Sequence, residues 1–270
     1  MNEGHEDHCR QRCAHKIRAV NRRILNVAAY RFVALPDAPA LREALLVRAT
    51  DAGLKGTVLL AEEGLNLNLA GAAQPLLDFM AWLQQDARLH GLPMKESWSD
   101  TLPYRHLRIK VKREIIRMDS PAIRPSDGRA PSIDATTLAR WLLAGHCDEG
   151  RPLVMLDARN GFEVDAGAFD GAVDWRLHSF TDFPQAVQAH RDDFLGKTVV
   201  SYCTGGIRCE KAALVMQDAG IAHVHQLDGG ILGYFAQTED APGWHGTCFV
   251  FDERVALDSA LQPAVQPAAP

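Results

Sequence analysis

Three short runs, PLVMLDAR (152–159), KTVVSYC (197–203) and HVHQLDGG (223–230), most constrain what this chain can fold into. The first is a nearly continuous apolar run, which marks a strand covered on both faces rather than one with a wet side, and the other two read as further strands of the same sheet. The segment from Cys209 to Ala219 supplies a helix between the second and third runs. Buried strands joined through helices read as an α/β domain with a parallel sheet. Ahead of them, Asp134 is placed to cap a helix carrying Leu138, Trp141 and Leu142, and Gly145 is placed to end it.

The first half follows another pattern. NVAAYRFVAL reads as a strand, and APALREALLVRATDAG as a helix with Leu41, Leu45 and Leu46 on its apolar side and Gly53 as its stop. LKGTVLLA and NLNLAG read as strands on either side of the Glu62-Glu63-Gly64 turn, AAQPLLDFMAWLQQDARLH as a second helix, and HLRIKVKREII as a closing strand. The order β-α-β-β-α-β predicts a ferredoxin-like, or acylphosphatase-like, α+β sandwich over residues 26–118, with two helices on one face of an antiparallel sheet. That fold serves many functions, so it does not by itself assign one.

In the closing strand, Leu107, Ile109 and Val111 alternate with Arg108, Lys110 and Lys112, which predicts one core face and one cationic face. Residues 103–118 hold six Lys/Arg against one Glu, in a chain whose net charge is −5. Such a face is either a solvated sheet surface or a footprint for a phosphate backbone. Arg105, Arg108, Lys110 and Lys112 are the candidate RNA contacts, with Trp98, Tyr104 and His106 near enough in sequence to stack on unpaired bases.

Residues 119–131, DSPAIRPSDGRAP, contain three prolines and a glycine and read as a linker to a second domain over 132–258. Two domains suit a chain of 270 residues. The opening MNEGHEDHCRQRCAHK has no apolar signal region, and no stretch is long and apolar enough for a membrane span, so a cytoplasmic protein is expected. Six cysteines are too few for a disulfide scaffold and should be free thiols or ligands. Cys9 and Cys13 stand near His5, His8 and His15, but their spacing does not match a four-ligand zinc site. A disordered leader over 1–25, no metal site, and a disordered Pro/Ala-rich tail over 259–270 are the expectations, and nothing in the pattern sets an oligomeric state.

Cys203 stands at the carboxyl end of a central strand, the usual place for ligands in open parallel sheets. Gly205 and Gly206 allow a tight turn whose N–H groups converge on the sulfur, and the following helix N-terminus and Arg208 add positive charge. All three favour a nucleophilic thiolate. The loop Thr204, Gly205, Gly206, Ile207, Arg208 would stabilise that charge, and Cys209 would act as a resolving thiol, a hydrogen-bond partner or a packed side chain. Four residues separate Cys203 from Arg208, one fewer than in the cysteine-phosphatase loop, so the loop suits a sulfur atom better than a phosphate. Asp157, Arg159 and Glu163 are expected to form a structural salt-bridge and turn network.

That loop, with DARNGFEVDAGAFDGA at 157–172, resembles the rhodanese domain. Together with YRFVALPD, LKGTVLLAEEGLN, LRIKVKREI, HQLDGGIL and CFVFDERVA, it resembles the rhodanese-containing tRNA uridine hydroxylase family from about residue 26 to 258. One departure is Leu67 in NLNLAG, where members commonly place Gly-Thr after the Asn. The resemblance implies a ferredoxin-like domain followed by a rhodanese-like domain, and tRNA as partner. It also implies oxygen-dependent conversion of wobble uridine to 5-hydroxyuridine, with Cys203 as catalytic thiol able to carry a persulfide and molecular oxygen as co-substrate. No flavin or haem motif is recognisable. A sulfurtransferase using the same Cys203 loop, a non-catalytic RNA-binding module, and a cysteine phosphatase or arsenate reductase are the alternatives.

Overall fold

Alternation along the first strands decides which face of the sheet the helices cover. A computed structural model describes residues 24–264. Its first domain runs β1 (Ile24–Phe32), α1 (Ala38–Asp51), β2 (Lys55–Ala61), β3 (Gly64–Ala72), α2 (Ala73–Leu83), β4 (Lys95–Ser99) and β5 (Leu107–Val111). Leu25, Val27 and Ala29 of β1, Val58 and Leu60 of β2, and Leu65, Leu67 and Leu69 of β3 pack into one core with Leu45 of α1 and Phe79 of α2. Leu67, the departure from the family pattern, is a fully buried core residue.

The sheet order is β4-β1-β3-β2-β5, with β4 antiparallel to β1 and β5 parallel to β2. The strand that completes the β-α-β-β-α-β order is therefore Lys95–Ser99, and the basic strand is a fifth, added at the opposite edge. The antiparallel expectation fails at that edge. KESWS escaped notice because it is short and mostly polar; Trp98 alone reaches the core, where it pairs in register with Leu25. The face turned away from the helices carries Asn26, Tyr30, Thr57, Asn66 and Asn68, and the second domain covers it.

The second domain contains β6 (Ser132–Ile133), α3 (Ala135–Ala144), β7 (Leu153–Asp157), α4 (Gly161–Val164), β8 (Gly167–Phe169), α5 (Phe183–His190), β9 (Thr198–Tyr202), α6 (Ile207–Asp218), β10 (Val224–Leu227) and α7 (Gly230–Gln237). It closes with β11 (Trp244–Gly246), β12 (Cys248–Phe249) and β13 (Ala256–Leu257). The sheet β6-β10-β9-β7 is parallel throughout. Val199 of β9 packs with Phe183 and Ala212 on one side, whereas Val200 and Tyr202 pack with Leu138 and Tyr234 on the other. Coverage on both faces buries every residue of β9. Asp134 accepts the Thr137 N–H at 2.7 Å, and Gly145 ends α3 in the left-handed conformation.

Residues 119–131 form no helix or strand, yet Ile123 and Ala130 are buried in the second core. Beyond Asp258 the chain is folded back as far as residue 264, where the Ala264 N–H donates to the Ala256 carbonyl at 3.0 Å, so the expected tail starts too early. The Cys9, Cys13 and histidine cluster lies outside the described residues. No helix among those described is long and apolar enough to cross a membrane.

Buried charge joins the domains. Lys211 of α6 is 1% exposed and donates to Glu63 at 3.0 Å, to Glu114 at 2.7 Å and to the Ile116 carbonyl at 3.1 Å. An ammonium out of water needs such partners, and all three come from residues 63–116.

Candidate active site

The loop after β9 is shaped around one sulfur. Gly206 has φ +93, and a side chain there would stand 2.9 Å from the Tyr30 hydroxyl. Freed from a side chain, it turns its N–H onto Cys203 Sγ at 3.2 Å. A second glycine, in HQLDGG, closes the loop from behind. Gly230 has φ +62, and a Cβ on it would lie 2.4 Å from the Cys203 carbonyl. That carbonyl accepts the Ile231 N–H, and the Thr204 carbonyl accepts the Leu232 N–H, each at 3.0 Å. Sequence reasoning placed Gly229 and Gly230 only at a strand end; the repeated glycine pair was the available signal.

The Cys203 side chain is buried, which by itself favours the neutral thiol. A hydrogen bond from the Cys209 thiol, the charge of Arg208, and the N–H groups of Arg208 and Gly206 outweigh burial and bring its pKa down to about 5. Burial and the neighbouring negative charge push the Cys209 thiol well up, so it stays protonated and donates. The Arg208 guanidinium is bound through two 2.6 Å contacts by Glu163, which also accepts the Asn160 N–H at 3.1 Å. The expected network of Asp157, Arg159 and Glu163 is present, and Glu163 extends it to Arg208. Asp157 and Arg159 form a fully buried pair whose guanidinium also donates to the Glu163 carbonyl at 3.2 Å, while the Glu163 carboxylate fixes the arginine of the cysteine loop.

Cys203 opens onto a cavity of about 1130 Å³ between this loop and the polar sheet face of the first domain. Glu210 accepts from Tyr30 at 3.2 Å, from Arg129 at 2.6 Å and from Gln226 at 3.2 Å. Burial first, and Glu210 next, hold the Tyr30 phenol well above its ordinary pKa. Lys95 of β4 places Nζ 5.0 Å from the Tyr30 ring centroid. Burial lowers its pKa, opposed by the charges of Cys203, Asp228 and Glu210. Tyr30 and Lys95 are site residues that sequence reasoning missed, Lys95 because its strand went unseen. Among the described residues, no group of three or more His, Cys, Asp or Glu side chains is arranged to hold a metal ion.

Residues 24–115 match the family model described as the UPF0176 acylphosphatase like domain, and residues 138–237 match the Rhodanese-like domain. The "tRNA uridine(34) hydroxylase" of Bordetella petrii is 62% identical over 89% of this chain and 95% of its own length. The proteins of that name from Bordetella avium and Delftia acidovorans are 60% and 59% identical over 89% of this chain, covering 99% and 92% of their own. The chain belongs to the tRNA uridine(34) hydroxylase family. Tyr30 and Lys95 fall in its first matched segment and Cys203 and Glu210 in its second, so the cavity needs both.

Within this family member the basic strand borders the cavity. Arg108 and Lys110 lie opposite Thr57 and Leu59 in parallel register, and Thr57 and Leu59 line the cavity wall. Arg108, Lys110 and Lys112 are exposed, whereas Arg105 is paired with Glu253 at 2.6 Å. Val111, expected in the core, is 41% exposed at the end of the edge strand β5. Trp98 is partly buried and packs against the first core. Tyr104 lines the cavity and donates to Asp252 at 3.2 Å, and His106 is exposed.

Proposed function

We propose that this protein hydroxylates the wobble uridine of tRNA at C5, with molecular oxygen as the source of the hydroxyl and Cys203 as the reacting thiol. The observation that carries this reading is the activated thiol at the wall of a cavity built by both domains, in a chain 62% identical to a protein named for that reaction. A cavity of about 1130 Å³ has room for an extruded nucleotide, ligand pockets commonly being about 300–1,000 Å³. Chemistry on a base requires such extrusion, because its target atom is shielded by neighbours in a stack.

In this mechanism the Cys203 thiolate adds to uracil C6, and the displaced electron pair is shared between C5 and O4. Lys95 is the proton donor to O4, a role for which a lowered pKa suits an amine. C5 thereby gains the nucleophilic character needed to bond oxygen, and departure of the thiolate restores the ring. One atom of O2 enters the C5–H bond. The other leaves as water, with two electrons and two protons from a thiol reductant. The protein works in the cytoplasm on tRNA.

The rhodanese-like match favours one second reading, in which Cys203 carries a persulfide and delivers sulfane sulfur to tRNA or a small thiol. Mass spectrometry of tRNA nucleosides separates the two. In a strain lacking the native enzyme, the wild-type gene should restore 5-hydroxyuridine under air, with less when oxygen is withdrawn. Cys203→Ser should restore none, because a hydroxyl is a far weaker nucleophile at neutral pH. Thiolated uridine as the sole product would decide for sulfur transfer; normal 5-hydroxyuridine from Cys203→Ser would refute both.

A further inference from the structure

Three phenylalanines meet around Phe251, which lines the cavity. Phe162 is carried by α4, Phe249 by β12, and Phe251 follows two residues later. Phe249 lies 5.3 Å from Phe162 and 5.2 Å from Phe251 between ring centroids, and Phe162 and Phe251 are 6.4 Å apart. The three ring planes are mutually inclined by 81–90°, so they form a corner. Such a group normally sits in a core, yet Phe162 is 51% and Phe251 64% exposed. They are the only aromatic side chains among the large hydrophobic ones exposed in the described residues. Contiguous exposed apolar surface of this kind marks an interaction site.

The corner is tied to the reactive loop from two sides. The Thr204 hydroxyl donates to the Phe249 carbonyl at 3.4 Å, and Phe162 immediately precedes Glu163, which holds Arg208. Phe251 itself lines the cavity onto which Cys203 opens. The segment following Phe251 is joined to the root of the basic strand, through Asp252 to Tyr104 and through Glu253 to Arg105 and to the Pro103 carbonyl. Phe251 and the thiol thus line one cavity, and the cationic strand β5 runs beside Thr57 and Leu59 of its wall.

We propose that Phe162 and Phe251 form a stacking platform for the unpaired nucleobases flanking the nucleotide inserted in the cavity. This rests on the tRNA reading above and names how the substrate is held outside the cavity: by base planes rather than base edges. A single-stranded RNA loop offers phosphates for Arg108, Lys110 and Lys112 and flat π faces for the two phenyl rings. Two phenyl rings beside a charged strand are too small an apolar area for a stable protein interface. Because every base has a π face, the platform requires a flanking base without selecting its identity.

The test is a cycle between protein and RNA, using the full-length protein and a labelled anticodon stem-loop. Phe162→Ala/Phe251→Ala should weaken binding by about 5- to 150-fold per lost stack, and Phe251→Trp should retain it. Wild-type protein should lose a similar factor on RNA made abasic at the nucleotides flanking the target, and the double variant should lose nothing further on that RNA. Thermal unfolding and the pH profile of Cys203 alkylation confirm that the loop is intact, and Phe162→Leu/Phe251→Leu, which keeps bulk without π faces, should bind like the alanine variant. Equal binding by wild type and double variant, with 5-hydroxyuridine still produced, overturns the platform and leaves the enzyme assignment standing. Equal losses by the variant on normal and abasic RNA overturn it too, by assigning the effect to the protein alone. Failure of wild-type protein both to bind and to hydroxylate the RNA overturns the tRNA reading and the platform with it.

Discussion

Replacing Cys209 by Ala should raise the Cys203 pKa and do so without opening the site. After burial, which acts in the opposite direction, the hydrogen bond from the Cys209 thiol is the largest influence on Cys203. Hydrogen bonds to charged groups contribute about 1.5–3 kcal/mol, and one pKa unit corresponds to about 1.4 kcal/mol. The loss therefore moves the Cys203 pKa from about 5 upward by roughly 1–2 units. At pH 6 the thiolate fraction should fall from about nine-tenths to between one-half and one-tenth. Thiolate absorbance near 240 nm and the pH profile of alkylation both read this directly.

The same substitution has a signature in stability. A folded-state pKa of about 5 lies below the ordinary thiol value of 9.0, so the unfolded chain binds the extra proton between those limits. Stability from this group is complete above pH 9.0, declines as pH falls and is gone below about 5. The Cys209→Ala variant should thus be destabilised by about 1.5–3 kcal/mol more at pH 9 than at pH 4. At pH 4 only the exchange of a thiol for a methyl group remains. An alkylation profile that coincides with wild type, or a stability loss independent of pH, would show that Cys209 does not support the thiolate.

Lys211→Met should destabilise the protein by about 3 kcal/mol in urea unfolding, the lower end for breaking a buried ion pair, because Glu63 and Glu114 retain some contact with water. Glu114 is moved first upward by burial and then, decisively, downward by Lys211. The wild-type advantage should therefore shrink as pH falls through its depressed pKa, and an advantage that grew on acidification would refute the pairing. Replacing Arg108, Lys110 and Lys112 together by Gln should lower the slope of log affinity for tRNA against log salt by roughly 0.7–0.9 per lost phosphate contact. An unchanged slope would assign that face to solvent.

The parts of this molecule legible from sequence are those whose determinants lie close together along the chain. Cys203, Gly205, Gly206 and Arg208 lie within six consecutive positions, and the strand and helix that place them are adjacent, so position and chemistry could be read together. The Asp134 cap and the Gly145 stop are local in the same way. Glu163 was visible as part of a turn but not as the partner of Arg208, 45 residues away. β5 was found as a strand yet set in the wrong place, because alternation gives a strand its faces and says nothing about which edge it joins. Asn66 and Asn68, alternating with Leu65, Leu67 and Leu69, already marked a sheet face that does not enter the core.

That polar face has its explanation in the second domain. It faces the cysteine loop across the cavity, and the contact at Gly206 is tight enough that the Tyr30 hydroxyl would collide with any side chain there. The rhodanese-like half by itself contains the groups that lower the Cys203 pKa, since Cys209, Arg208 and Gly206 all belong to it. It lacks the opposite wall with Tyr30, Thr57 and Lys95, and with it the enclosure for a nucleotide. An isolated second domain would therefore keep the chemistry of a reactive thiol and lose its selection for a base. Lys211, held by carboxylates of the first domain one turn after Arg208 in the same helix, makes docking of the two halves and positioning of the loop a single structural event.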